Sequence, residues 1–201
     1  MIGIIDYKLG NLANVHNAIN KSGYESVISN DIHMLSKCSA LILPGVGAFE
    51  DGIKALHEYN LIEFLNDWVS SNNYLLGICL GMQLLFEKSY ENGIWKGLNY
   101  IEGDIVRFET KLKVPHMGWN DVIVHQNDDI VTGIKNGDYV YFVHSYYART
   151  PNFDNVVLYS NYEIDFPAVV RKGNVIGMQF HPEKSSRTGK ILLENYLEMT
   201  K

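Results

Sequence analysis

The chain has 201 residues, a formal net charge of −6, 46% apolar and 20% charged residues, and a sequence pI of about 5.6. This is the composition of one soluble globular domain, without the basic excess of a nucleic-acid or anionic-membrane binder. Two cysteines, Cys38 and Cys79, are too few for a disulfide framework, and no apolar run approaches the length of a membrane span.

In chain order, Ile2-Gly3-Ile4-Ile5 reads as a short buried strand. A helix is expected from about Asn11 to Ser22, with Leu12, Val15 and Ile19 at helical spacing. Strands are expected at Tyr24 to Ile28 and at Ala40 to Leu43, the latter broken by Pro44-Gly45-Val46-Gly47. Phe49 to Ser70 reads as helix, interrupted near Tyr59-Asn60. Tyr74 to Ile78 is another buried strand, and Met82 to Lys88 another helix start. From Ile105 to Phe180 strands and turns dominate, including Tyr139 to Val143, Val156 to Tyr159 and a hairpin turn at Arg171 to Val175. A helix from about Gly189 to Met199 closes the chain. Strands alternating with helices imply a parallel sheet covered on both faces. The expected fold is therefore a single α/β domain over residues 1–201, with a mostly parallel central sheet and an additional, mainly antiparallel region in the second half.

Chemistry concentrates at Gly77-Ile78-Cys79-Leu80-Gly81-Met82-Gln83, where a cysteine stands between glycines, after a strand and before a helix. This is the thiol counterpart of a nucleophile elbow. The sharp turn strains the nucleophile's backbone, demands small neighbours and lifts the sulfur above the carboxyl ends of the strands. Free N–H groups and the positive end of the following helix favour a thiolate. A cysteine nucleophile needs a base, and the base an orienting group. Near the C-terminus, Val175 to Phe180 should deliver His181 to a strand end, and Glu183 lies two residues beyond it. In an extended chain those two side chains face the same way, and Pro182 favours an extended His181. Leu43-Pro44-Gly45-Val46-Gly47 is a glycine-rich loop after a strand, able to turn N–H groups toward an oxyanion, with Leu80 supplying a second donor.

Together these segments resemble the class I, or triad, glutamine amidotransferases. Asp6-Tyr7 with Gly10-Asn11-Leu12, Val114-Pro115-His116-Met117-Gly118-Trp119-Asn120 and Tyr141-Phe142-Val143-His144-Ser145-Tyr146 extend the resemblance over essentially the whole chain. The last two segments point to the branch whose members feed ammonia to a (β/α)8-barrel cyclase in histidine biosynthesis. The resemblance implies that Cys79 is the nucleophile, His181 the base and acid, and Glu183 the orienting carboxylate. It implies glutamine binding by Gly47, Gln83, Glu91, Ser145 and Tyr146, and an oxyanion hole bordered by Val46 and Leu80. It places Asn11, Asn14, Met117, Trp119, Tyr141 and Lys184 near a partner's docking face and the ammonia exit. It implies a heterodimer with the cyclase and no metal or organic cofactor. A cytoplasmic location with reduced thiols is expected separately, from the few cysteines and an N-terminus that lacks the pattern of a signal peptide. Lys8 stands where many relatives have glycine, so the first strand-helix turn is expected not to demand a glycine-only backbone there.

Other readings remain at this stage. Paralogues in surface-sugar pathways feed ammonia to a different synthase with the same glutaminase residues. Peptidases, γ-glutamyl hydrolases and chaperone-like proteins share cysteine elbows but generally lack Gln83 combined with His181-Pro182-Glu183. A silent regulatory subunit has no need of all three triad residues. Cys38 is expected to be structural, His16, His33, His57 and His125 show no metal-ligand spacing, and His116 and His144 are assigned no chemistry.

Overall fold

The computed structural model describes residues 1–201. In the first part of the chain, strands and helices alternate: β1 (Ile2–Ile5), α1 (Leu12–Lys21), β2 (Ser26–Ser29), α2 (Ile32–Leu35), β3 (Ala40–Gly45), α3 (Phe49–Glu58), α4 (Leu61–Ser70), β4 (Tyr74–Cys79) and α5 (Leu80–Leu84). The rest is mostly strand: β5 (Phe86–Ser89), β6 (Trp95–Lys96), β7 (Ile101–Arg107), β8 (His116–Val124), β9 (Asp138–His144), β10 (Tyr146–Arg149), β11 (Val156–Asn161), β12 (Asp165–Lys172) and β13 (Val175–Met178). A short 3₁₀ turn, Pro182–Lys184, leads into the last helix, α6 (Ser186–Met199).

A nine-stranded sheet runs in the order β2-β1-β3-β4-β13-β12-β11-β8-β9. Pairing is parallel from β2 to β13 and antiparallel from β13 to β9. The antiparallel region therefore divides: four strands prolong the central sheet, and β10-β7-β5-β6 form a second, four-stranded one. Alternation along the central strands feeds two cores. Ala40 and Ile42 pack on one face with Val15 and Ile19 of α1 and Leu192, Tyr196 and Leu197 of α6. Leu41 and Leu43 pack on the other with Phe49, Ile53, Leu56, Leu61, Leu65 and Trp68 of α3 and α4. Burying each such Leu or Ile contributes about 1.5–3 kcal/mol.

Three local expectations are corrected. The third strand does not stop at Leu43: Pro44 and Gly45 stay in β3 and pair with Ile78 and Cys79. Pro44 needs no ladder hydrogen bond of its own to remain in this register. The helix expected from Met82 to Lys88 instead begins at Leu80 and spans five residues, and Phe86–Ser89 is strand. Pairing with β7 overrides local helix propensity there. Lys8, expected to free its turn from a glycine-like backbone, adopts φ 68°. Its own N–H donates to Asp6 Oδ1 at 3.1 Å and its ammonium to Oδ2 at 3.0 Å, so the Asp6 carboxylate holds a conformation usually left to glycine. The break between α3 and α4 falls where expected, with Asn60 at φ 54°.

Candidate active site

Cys79 closes β4 at φ 55°, ψ −111°, a backbone state rarely adopted by a side-chain-bearing residue. Its neighbours explain how this is tolerated. A Cβ on Gly81 would lie 1.7 Å from the Leu43 carbonyl oxygen, and one on Gly77 2.6 Å from that of Gly81. Only glycine permits the close approach of β3, β4 and α5 on which the elbow is built. Because α5 is one turn and a half long, what it offers the sulfur is a local set of N–H groups rather than a long helix dipole.

His181 arrives from the adjacent strand, β13, which pairs with β4 in parallel. Its N–H donates to the Tyr141 carbonyl at 3.2 Å. The buried Ser185 hydroxyl donates to the His181 carbonyl at 2.7 Å and accepts from the Tyr141 N–H at 2.9 Å. His181 is thereby stitched to β9. Its Nδ1 lies 3.0 Å from Glu183 Oε1. Since the carboxylate accepts, Nδ1 carries the proton and Nε2 is left for the cavity. The expected two-residue extended spacing is not how this contact is made: Pro182–Lys184 is a 3₁₀ turn with proline in its first position, which folds the carboxylate back under the ring. The other Glu183 oxygen is buried without a protein partner. Burial opposes charge on His181, but the Cys79 sulfur and the Glu183 carboxylate outweigh it and push the ring up to about 9.

Cys79 and His181 open into one cavity of about 370 Å³, together with Val46, Gly47, Leu80, Gln83, Glu91, Ser145, Tyr146 and Lys184. Every residue expected to bind substrate or border the oxyanion hole lines this one space. Val46 is exposed directly after the end of β3, and Gly47 has φ 102°. Glu91 is half-buried and accepts the Phe49 N–H at 2.8 Å; burial raises its carboxyl and that bond partly offsets the rise. Gln83 is buried and donates to the Tyr146 carbonyl and to Gln179 Oε1, each at 3.1 Å.

The residues expected at a docking face lie on β8, on β9, at the start of α1 and on the 3₁₀ turn against which both β9 and α1 pack. Met117 and Trp119 lie on β8, 61% and 52% exposed. Trp119 faces Tyr141 across the β8–β9 pairing, with ring centroids 5.9 Å apart. Tyr139 is 56% exposed on the edge strand β9. Asn11 and Asn14 are at the start of α1, where the Asn11 side chain accepts the Asn14 N–H at 3.4 Å and so serves as the helix cap. That helix packs beside the 3₁₀ turn carrying Lys184.

Two groups at the site were missed. Gln179 is fully buried, with its Nε2 4.0 Å from Cys79 Sγ; the available signal was a polar residue inside the apolar run Ile176 to Phe180. Tyr7 is fully buried with an unpartnered hydroxyl, and burial followed by the Cys79 charge raises it. Cys38 is buried against the backbone of Gly3, away from this cavity, and burial raises its thiol.

A strained cysteine and a carboxylate-held imidazole opening into one cavity suit nucleophilic catalysis, and the sequence supplies the family. The family profile described as glutamine amidotransferase class-I matches residues 3–199, and the chain belongs to that family. Among individual relatives, it is 47% identical to the imidazole glycerol phosphate synthase subunit HisH of Caldanaerobacter subterraneus subsp. tengcongensis, over 100% of this chain and 99% of that one. It is 50% identical to the HisH subunit of Shouchella clausii, over 98% and 97% of the two chains. Among solved structures, PurLQS from Thermotoga maritima superposes with a TM-score of 0.78 over 100% of this chain and 98% of the other, at 21% identity. A crystal structure of a glutamine amidotransferase gives the same TM-score over 99% and 98% of the two chains, at 22% identity. At such identities the structural likeness speaks for the fold.

Proposed function

We propose that this chain is the glutaminase subunit of an imidazole glycerol phosphate synthase, converting glutamine and water to glutamate and ammonia and passing the ammonia to a (β/α)8-barrel cyclase. The observation that carries the reading is the opening of Cys79 and His181 into the same cavity as Gln83, Glu91, Ser145 and Tyr146, in a chain that matches HisH subunits end to end. Cys79 attacks the side-chain amide carbon, and the oxyanion forms between the Val46 and Leu80 backbone. His181 gives its proton to the departing ammonia, leaving a thioester on Cys79. Water, deprotonated by His181, then releases glutamate and restores the thiol. Glu183 holds the ring with Nε2 toward the sulfur and balances the imidazolium charge. Glu91, buried enough to interact strongly, faces the amino acid's ammonium group. No cofactor takes part.

Released ammonia would become ammonium in neutral water, which is not nucleophilic, so direct transfer to a docked synthase is favoured. The exposed Met117, Trp119 and Tyr139 and the half-buried Tyr141 on β8 and β9, with Lys184 at the cavity, form the docking side. The chain works in the cytoplasm as a heterodimer; it contains no helix long and apolar enough to cross a membrane. The Pro44 to Gly47 segment completes the oxyanion hole only when the cyclase is docked and occupied, since one missing donor is worth about 10²–10³ in rate. The test is the glutaminase rate of the chain alone, with the cyclase, and with the cyclase plus its nucleotide ligand. A stepwise rise is expected; full speed in the isolated chain would overturn the switch.

A further inference from the structure

Two histidines outside the triad belong to a hydrogen-bond chain whose direction is fixed throughout. The Tyr146 carbonyl can only accept, so His144 Nδ1, 2.8 Å away, carries a proton and donates to it. Burial, opposed by this bond and aided by His116, pushes His144 down to about 3. Its ring is neutral, and Nε2 is a bare acceptor. His116 Nδ1, 3.0 Å from that Nε2, must therefore donate. Burial pushes His116 down to about 4, so its own Nε2 accepts from the Asn120 amide at 3.3 Å. The Asn120 amide is itself fixed: its nitrogen also donates to the Asn161 carbonyl at 2.9 Å, and its oxygen accepts the Asp121 N–H at 3.0 Å.

At the cavity end, the Tyr146 carbonyl also accepts from Gln83 Nε2, whose other hydrogen goes to Gln179 Oε1. With both hydrogens committed, Oε1 is the polar atom Gln83 has left for a ligand, and Gln83 lines the cavity. Gln179 then turns its Nε2 toward Cys79 Sγ. The relay from β8 thus ends in the amides beside the nucleophile.

We propose that His116 and His144 are positioning residues, a neutral one-way relay that holds the Tyr146 carbonyl, and through it the Gln83 amide, in the orientation that receives glutamine. This rests on the glutaminase reading above. Packing alone does not call for imidazoles here. His116 stacks on Phe142 at 4.9 Å and on Tyr162 at 4.1 Å, with Phe108 and Phe166 edge-on. A phenyl ring would fill these places without burying polar nitrogens that must each be paired.

The relay and the packing explanation make opposite predictions for two variants. His116→Phe keeps an aromatic ring and removes the donor to His144, leaving the buried His144 Nε2 an unpaired acceptor, so the ring shifts to find a partner and its hold on the Tyr146 carbonyl loosens. His116→Asn loses the ring but offers a donor near the Nδ1 position. In complex with the cyclase, His116→Phe should raise the glutamine KM about tenfold with a smaller change in kcat, as for a lost ground-state contact. His116→Asn should recover a KM within about threefold of wild type while melting at a lower temperature. Ring ¹⁵N shifts of His144, recorded without substrate, should show the Nδ1–H tautomer in wild type, with the Nε2 resonance moving to that of a nitrogen without a hydrogen-bond donor in the Phe variant. A wild-type KM for His116→Phe, a worse KM for Asn than for Phe, or an Nε2–H His144 in wild type would each overturn the relay. Absence of glutamine hydrolysis in the wild-type complex would overturn the glutaminase reading instead. The ¹⁵N measurement separates the two failures because it needs no activity and reads the wild type even if the Phe variant does not fold.

Discussion

The two halves of the central sheet reach the same cavity by different means. The parallel half delivers Cys79 through local backbone geometry: a buried strand, a positive φ, and glycines whose hydrogens touch neighbouring main chain. From β13 onward the site is delivered by groups that hydrogen bonds hold in place: His181 by Glu183, the Tyr141 N–H by Ser185, and His144 by His116. A site built in the first way is brittle to volume and indifferent to titration. One built in the second tolerates volume but depends on protonation and hydrogen-bond direction.

Substitutions should separate the two. The largest effect is expected for Cys79→Ala, which fits the elbow and should keep the fold while glutaminase activity falls by about 10³-fold or more. An alanine variant hydrolysing glutamine at a comparable rate would remove Cys79 from the mechanism. His181→Ala should cost nearly as much, because the imidazole serves both acylation and deacylation; assaying both variants with the cyclase checks the pairing. Glu183→Gln should cost less, since His181 retains a hydrogen-bonding neighbour and loses only the supporting charge.

Gly81→Ala tests the brittle half through stability rather than chemistry. With a Cβ 1.7 Å from the Leu43 oxygen, β3 must move away from the elbow. The cost should exceed the roughly 1–3 kcal/mol of ordinary overpacking, read as a lower denaturation midpoint. A near-wild-type midpoint would show that the elbow is looser than its contacts imply.

The smallest effect is the most specific to the second half. His181 is raised to about 9 by Cys79 and Glu183 against burial. In Cys79→Ala its titration, followed by NMR, should move down, because one of the two groups raising it is gone while burial remains. A folded pKa above the unfolded value near 6.5 contributes stability that is fully present below about pH 6.5 and lost as pH rises through about 9. That alkaline loss should therefore be shallower in the alanine variant than in wild type. An unmoved His181 titration would mean that the sulfur does not govern the ring.

Much of the architecture was written in local pattern. The buried runs Ile2–Ile5, Ala40–Leu43 and Tyr74–Ile78, the helical spacing of Val15 and Ile19, the break at Asn60 and the hairpin turn at Gly173 follow from period, propensity and turn chemistry. The elbow was legible for the same reason: Gly77, Cys79 and Gly81 act within a few residues of one another. What failed was decided by partners distant in sequence. Phe86–Ser89 is a strand because β7 pairs with it, and Lys8 takes a glycine-like φ because Asp6 grips it. Glu183 reaches His181 through a 3₁₀ turn rather than an extended chain.

The sequence by itself therefore determined the α/β class, the family and the residues able to carry the chemistry, because those are properties of short segments and of residue type. Only the tertiary structure decided which nitrogen of each histidine bears the proton, which atom Gln83 presents to the cavity, and that Gln179 stands beside the sulfur. The Gln83 and Asn120 amides are oriented by the Tyr146 and Asn161 carbonyls, which lie far along the chain from them. No local pattern records where they will be.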